Sequence, residues 1–484
     1  MNDIQSLSAL KASVHEDEFK TQKNLSYEET YAYIAKAIED NKVAKIRETQ
    51  KSENTQKIVK DKAYYRENFS FYFKLIKNEL LTNGIKTFRM EDGKAVNMDV
   101  NETASDIAAG YVGWDCLEDA MNDDKVTDIF VISWNKIFVE RKGKNEVYKK
   151  TFRSQTAYKN FVDRIVREAG KQLDSGENKI VDFELYGNRG NVVHESVATK
   201  GACLTLRKHS EDPITLEQLL GWNLMTKDIS DMLGMAVEGE TNLIYAGITG
   251  SGKTTTIRAL LNYYIAKLNK RALVLEDTQE LFLSNPHTVD LKTFPTDDPK
   301  TSITLRDLNI SALRMKPKYI IVGEVRGAEA ESAVEGMETG HSTIFTMHGG
   351  NVWNVVNRLV TKYLMQMPTL GIEVVERIIG EAVNFVCIQD DIPGIGRRIT
   401  SIHEIGYDFQ NHCVTATPIV SFNFATKDWD WLNPLSNEVL NTMTRRGVSY
   451  ERANALNEMI ANNIEKTKQR KAQESDPLKR EKEA

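Results

Sequence analysis

Apolar residues along this chain change their spacing several times, and each change marks a different kind of element. From Tyr64, the run YYRENFSFYFKLIKNELLTNG sets Phe69, Tyr72, Phe73, Ile76 and Leu80 three or four residues apart, with Gly84 placed to end the turn. That spacing predicts an amphipathic helix. From about Gly110 the texture shifts to short β-prone runs. Asp128 to Ile132 and Lys136 to Glu140, joined through Ser133, Trp134 and Asn135, predict a hairpin. Ala157 to Ala169 puts Phe161, Ile165 and Val166 on one helical face, and Cys203 to Arg207 reads as another strand. All ten prolines lie at Pro213 or beyond, and the polar stretch His209 to Asp212 before it marks a linker. After the linker, Leu243 to Ala246, Ala272 to Leu275 and Tyr319 to Val322 are short, wholly apolar runs. Runs of that kind suit strands buried on both faces. Ser436 to Ile464 reads as helices, and Glu465 to Ala484, with seven basic and five acidic residues, as a solvated charged tail.

Composition narrows the classes. The 484 residues are 41% hydrophobic and 27% charged, which excludes wholesale disorder; residues 1 to about 60, rich in Lys, Glu, Gln and Asn, read as solvated helices or partial disorder. Lys plus Arg is 63 against 69 for Asp plus Glu, so the net charge of −6 supplies no global field for nucleic acid. Cys116, Cys203, Cys387 and Cys413 lie far apart, with neither zinc spacing nor disulfide density, which suits a reducing cytoplasm. Charged residues interrupt the N-terminus too early for an export signal. The longest uncharged stretch, Thr339 to Asn357, carries two His, three Gly and three Asn, too polar for a membrane span.

The chemistry concentrates after the run Leu243 to Ala246. Gly247-Ile248-Thr249-Gly250-Ser251-Gly252-Lys253-Thr254 fits the GxxxxGK[ST] phosphate loop in full, and Ile257, Leu260, Leu261, Tyr264, Ile265 and Leu268 continue it as a helix. Glycines let backbone N–H groups fold around phosphate oxygens, and the helix N-terminus adds its positive end. With Thr255, these residues are expected to hold ATP. Lys253 is expected at the β- and γ-phosphates, and the Thr254 hydroxyl on Mg²⁺. Two later apolar runs end in acids, one in Glu276 and Asp277 and the other in Glu324. Carboxylates at the carboxyl ends of parallel strands face the ligand crevice. Either glutamate can serve as general base, with Glu324 the first choice and also reaching the metal through water; sequence does not decide between them.

EDTQEL (Glu276 to Leu281), ALRMKPKYIIVGEVRGAEA (Ala312 to Ala330) and TGHSTIFTMH (Thr339 to His348), in that order after the loop, resemble the secretion-superfamily ATPases. These are the hexameric motors of type II and type IV secretion, type IV pili, archaeal flagella and conjugation. DIFVISWNKIFVER, FVDRIVREAGKQLD, LTLRKHSEDPITLEQL and RRITSIHEI extend the likeness over about 112 to 410. The resemblance implies an Asp box at Glu276, Asp277 and Glu280, a Walker B acid at Glu324, and a His box at His341 and His348 that senses the γ-phosphate. It also implies that Arg189, in VDFELYGNRG, and Arg207, before the linker, act on the nucleotide from the N-terminal domain. Arg314 and Arg326 flank the Walker B strand and admit a plain structural pairing with nearby glutamates. The CxxC zinc module of many type II and pilus-extension members is absent from the sequence.

The expected architecture is therefore α/β, a RecA-like P-loop ATPase domain behind an α+β N-terminal domain and a helical extension. Its divisions are 1–111 (charged helical extension, partly disordered), 112–208 (N-terminal domain), 209–222 (linker), 223–435 (ATPase domain) and 436–484 (helices and charged tail). The expected protein is an ATP- and Mg²⁺-dependent motor, self-assembled as a homohexamer on a membrane-embedded secretion, conjugation or pilus platform, cytoplasmic and peripheral at the inner face. A P-loop nucleic-acid translocase and a nucleotide-binding kinase or regulator are the alternatives.

Overall fold

The computed structural model describes residues 23–41, 60–91, 93–141, 143–208, 213–296, 298 and 300–474. The chain divides into two compact units, Met1–Glu211 and Asp212–Ala484. The stretch 1 to about 60, expected as solvated helices or partial disorder, falls partly, and the last ten residues of the charged tail wholly, outside the described residues; within the first stretch Tyr27–Asp40 is helical.

The first unit holds two small sheets. Strands β1 (Lys23–Ser26), β2 (Ile85–Glu91) and β3 (Lys94–Asn97) form one. The helix Lys62–Thr82 packs Tyr72, Ile76 and Leu80 into a core with Ile34, Ile38 and Ile107. The extension is thus α+β; β1 and β3 are four residues each, with β3 exposed throughout, and the apolar Ile85, Phe88 and Met90 of β2 do not alternate, so no period-2 pattern signalled these strands. The second sheet has six strands in the order β6-β5-β4-β9-β8-β7: β4 (Val126–Ser133), β5 (Lys136–Arg141), β6 (Lys144–Val147), β7 (Ile180–Leu185), β8 (Asn188–Val193) and β9 (Cys203–Arg207). The hairpin pairs Ile129 with Val139 and Ser133 with Lys136, which leaves Trp134 and Asn135 as its turn. The helix Gln155–Glu168 starts at Ser154, whose side chain accepts the Ala157 N–H, and buries Phe161, Ile165 and Val166.

The second unit is built on a nine-stranded sheet: β10 (Leu243–Gly247), β11 (Ala272–Glu276), β12 (Thr288–Lys292), β13 (Tyr319–Val322), β14 (Ser342–His348), β15 (Phe385–Ile392), β16 (Gly396–Asp408), β17 (Cys413–Asn423) and β18 (Asp428–Trp431). Its order is β12-β11-β13-β14-β10-β15-β16-β17-β18. Strands up to β15 run parallel, and β15 to β18 form an antiparallel meander. One strand, β14, separates β10 from β13, giving the RecA-like P-loop arrangement. Both faces of the parallel part are buried: Leu243 and Tyr245 pack in one core, and Ile244 and Ala246 in the other. That two-sided burial explains why these strands read as unbroken apolar runs.

Two stretches behave differently from the linker and tail that sequence suggested. The helix Leu216–Gly221 buries Leu216 and Leu219 in the core of the second unit, so most of the expected linker belongs to that unit. At the other end, the helix Tyr450–Glu474 runs ten residues into the expected tail. Thr467 is buried and accepts the Trp431 N–H at 3.1 Å, while Arg470 pairs with Asp428. The charges in this stretch lie on a packed helix.

Candidate nucleotide-binding site

Register brings the site together. In the sheet, Gly247 at the end of β10 is flanked by His348 of β14 on one side and Gln389 of β15 on the other. The loop then turns through Gly250 (φ +80°) and Gly252 (φ +89°) before the helix Lys253–Tyr264 begins. Only glycine takes those angles without strain. Gly247 is required for a different reason: a Cβ there would lie 2.0 Å from the Gln389 carbonyl oxygen.

Lys253, 7% exposed, donates to the carbonyl oxygens of Gly247 (3.1 Å) and Ile248 (3.0 Å) and lies 3.4 Å from His348 Nδ1. Burial lowers its pKa, partly opposed by the charge of Glu324. Glu324 follows β13. Its Oε2 accepts from Arg326 at 2.5 Å, and its buried Oε1 lies 2.8 Å from His348 Nε2 without an aligned hydrogen bond. Burial raises the pKa of this carboxyl, but Arg326, His348 and Lys253 together outweigh it and hold the group below its ordinary value. Burial and the Lys253 charge push His348 downward. A lysine, an ionised carboxylate and an imidazole therefore meet at one end of the loop.

Two hollows flank the loop. A cleft of about 810 Å³ opens beside Ile248, Thr249 and His348, with Asn354 and Arg358 on its far wall. On the other side, a cavity of about 240 Å³ is reached past Gly252 and Thr255 and lined by Ile214, Leu219, Trp222 and Arg397. The hollow beside His348 is the wider and more polar of the two, and the one beside Thr255 the narrower and more apolar.

The description Type II/IV secretion system protein matches residues 115–389, more than half of the chain and across both units. The chain belongs to that family. Similarity to individual members is moderate. An uncharacterized protein of Methanocaldococcus jannaschii is 29% identical over 333 residues, 65% of this chain and 58% of that protein, so the chain spans less than two thirds of this relative's length. The conjugal transfer protein TrbB of Rhizobium radiobacter is 28% identical over 303 residues, 61% of this chain and 88% of TrbB. Among solved structures, the Legionella pneumophila ATPase DotB superposes with a TM-score of 0.43 at 20% identity, covering 71% of this chain and 85% of DotB.

Within the family site, the two glutamates have distinct surroundings. Glu324 faces Lys253 and His348. Glu276, 4% exposed, accepts the backbone N–H groups of Glu280 (3.1 Å) and Leu281 (3.2 Å). Burial drives its pKa up to about 8 despite those two bonds. Its carboxyl organises the loop that follows β11, with Asp277 bonded to Thr293 beside it. Arg326 is tied to Glu324, whereas Arg314 lies exposed on the surface. His341 stands before the other end of β14, its Nδ1 3.1 Å from the Thr339 hydroxyl, away from His348 at the strand's carboxyl end.

Arg189 and Arg207 belong to the first unit and are register partners on β8 and β9. Arg207 Nε donates to Asp128 at 2.8 Å. Sequence reading missed two residues of β15. Gln389 is wholly buried against the loop, and Asp390 is drawn to the Ile248 N–H and the Lys253 charge although burial raises its pKa. Arg397 of β16, near Gly252, was also missed. The signal was present: Phe385 to Ile388 is another apolar run ending in polar groups, like those that end in Glu276 and Glu324.

Proposed function

We propose that this chain is an ATP-hydrolysing motor of a type IV secretion, conjugation, pilus or related export apparatus. The observation that supports it most is the convergence of Gly247, Lys253, Glu324 and His348 at the carboxyl edge of the parallel sheet. In this reading the loop N–H groups and Lys253 bind the phosphates, and the narrower hollow beside Thr255 takes the base, with Trp222 and Ile214 against its faces. The residues fit Mg²⁺ through Thr254, the first helical hydroxyl after Lys253, with Glu324 reaching it through water; the ion supplies charge neutralisation to the leaving phosphates.

Glu324, held ionised, is placed to accept the proton of an attacking water, which makes it the better general base. Glu276, whose pKa near 8 keeps it largely protonated at neutral pH, suits a structural role in the Asp box. His348, in contact with both Lys253 and Glu324, is positioned to register loss of the γ-phosphate. Arg189 and Arg207 add positive charge from the first unit when it closes over the nucleotide, so that hydrolysis becomes rigid-body domain motion.

The similarity to TrbB, a conjugal transfer protein, supports placing the motor in conjugation or a related apparatus. Among the described residues no helix is long and apolar enough to cross a membrane. In this reading the chain assembles as a homohexameric ring docked from the cytoplasm on a membrane-embedded platform. The deciding experiment is phosphate release by the purified full chain with MgATP, measured together with its sedimentation in the presence of ATP. Turnover by a six-subunit species supports the proposal, and absence of nucleotide binding overturns it.

A further inference from the structure

We infer that Gln389 is a positioning residue that selects the phosphate-binding conformation of the loop. This inference rests on the nucleotide reading above. Gln389 is 0% exposed, and its side chain makes two bonds in opposite directions: the amide nitrogen donates to the Ser251 carbonyl, and the amide oxygen accepts from the Tyr245 hydroxyl. The Ser251 carbonyl can only accept, so the nitrogen must face it, which leaves the amide oxygen for Tyr245. Tyr245 is itself fully buried, and burial holds its hydroxyl in the protonated, donating form.

The consequence passes through one peptide bond. In a planar trans peptide, the carbonyl of Ser251 and the N–H of Gly252 point in opposite directions. A carbonyl fastened outward on Gln389 therefore aims the Gly252 N–H toward the concave side of the loop, where a phosphate oxygen is bound. Glycine at 252 does not enforce this by itself, because its backbone tolerates angles of either sign and the peptide is free to flip. The choice is made by a side chain 137 positions further along the chain, in the strand next to β10. The Ser251 hydroxyl, bonded to the Ile248 carbonyl at 2.8 Å, braces the same turn internally.

The test uses the full chain and MgADP, with affinity read by titration calorimetry, turnover by phosphate release, and melting followed without nucleotide. Q389L keeps the volume and removes both bonds. The expected result is a loss of MgADP affinity, and a matching rise in KM for ATP, of at least about tenfold, with kcat changed less than about threefold. Y245F removes only the orienting donor, so a smaller loss of about two- to fivefold is expected. Because Tyr245 acts through Gln389, the double variant is expected to bind no more weakly than Q389L alone. Affinity within twofold of the unaltered chain in Q389L, or losses that add in the double variant, would overturn the inference. If Q389L does not fold, Y245F decides: the stated loss with unchanged melting supports the inference, and unchanged affinity overturns it. Failure of the unaltered chain to bind MgADP refutes the nucleotide reading instead.

Discussion

Arg189 and Arg207 stand directly opposite each other on neighbouring antiparallel strands, with Glu184 the register partner of the first and Asp128 that of the second. Opposed residues of an antiparallel pair present their side chains on the same face. Two like charges so placed repel, and the acids at both ends of the row offset the repulsion. Sequence separates these arginines by 18 positions; the sheet sets them side by side. R189A and R207A are each expected to slow ATP hydrolysis by the full chain at least about tenfold, with ADP affinity retained. Unchanged turnover in both variants would reduce the pair to structural charges of the sheet.

Lys253 is held by the two carbonyls at the start of its own loop, ready to exchange them for phosphate oxygens. K253A is expected to abolish phosphate release and to weaken MgADP binding by at least about a hundredfold, read by calorimetry. Normal hydrolysis in this variant would remove the loop from the mechanism.

The two glutamates separate kinetically and by pH. E324Q is expected to bind MgATP normally but to hydrolyse it at least about a hundredfold more slowly, whereas E276Q is expected to affect turnover far less. The reverse ranking in single-turnover measurements would exchange their roles. Glu276 also makes a stability prediction. Its pKa, raised from 4.5 to about 8, means that the folded chain binds more protons than the unfolded chain between those values. Its contribution therefore declines as pH rises from about 4.5 to 8. Denaturation followed across that range is expected to show this decline in the unaltered chain and a flatter profile in E276Q. Parallel profiles would mean that the carboxyl ionises normally.

Trp222, 57% exposed, lines the narrower hollow beside the loop. Filling the cavity with a purine base removes water from one indole face, so MgADP is expected to change the tryptophan emission. W222F is expected to eliminate that change and to raise KM several-fold with little effect on kcat. An emission change that survives in W222F would place the base elsewhere.

Thr467 satisfies the Trp431 N–H in a buried position. T467V leaves that donor unpaired at a cost of about 1–3 kcal/mol, and a lower melting temperature is expected. Unchanged melting would return the end of the helix to the solvated tail that its composition suggests.

Much of the architecture was legible because each element carries its own physical signature. The phosphate loop is local, set by glycine angles and one lysine, and the strands around it are continuous apolar runs because both their faces are buried. The hairpin around Trp134 and Asn135 and the helix ending before Gly84 follow from spacing alone. Strands β1 to β3 were not legible: β1 and β3 are only four residues each, and the apolar residues of β2 do not alternate. Gln389, Asp390 and Arg397 were missed for another reason. Each acts on a loop more than 130 residues away, and only register connects them.

By itself, the sequence determined where the glycine-rich loop and its lysine lie, which runs must be buried, and the order of the chemical groups along the chain. Those properties depend on side-chain type and on neighbours within a few residues. The tertiary structure decided that His348 and Gln389 flank Gly247, that Glu324 faces Lys253 while Glu276 turns to its own loop, and that Arg189 meets Arg207. Pairing between strands is a long-range choice, settled by the burial of both sheet faces together, and no short window of sequence contains it.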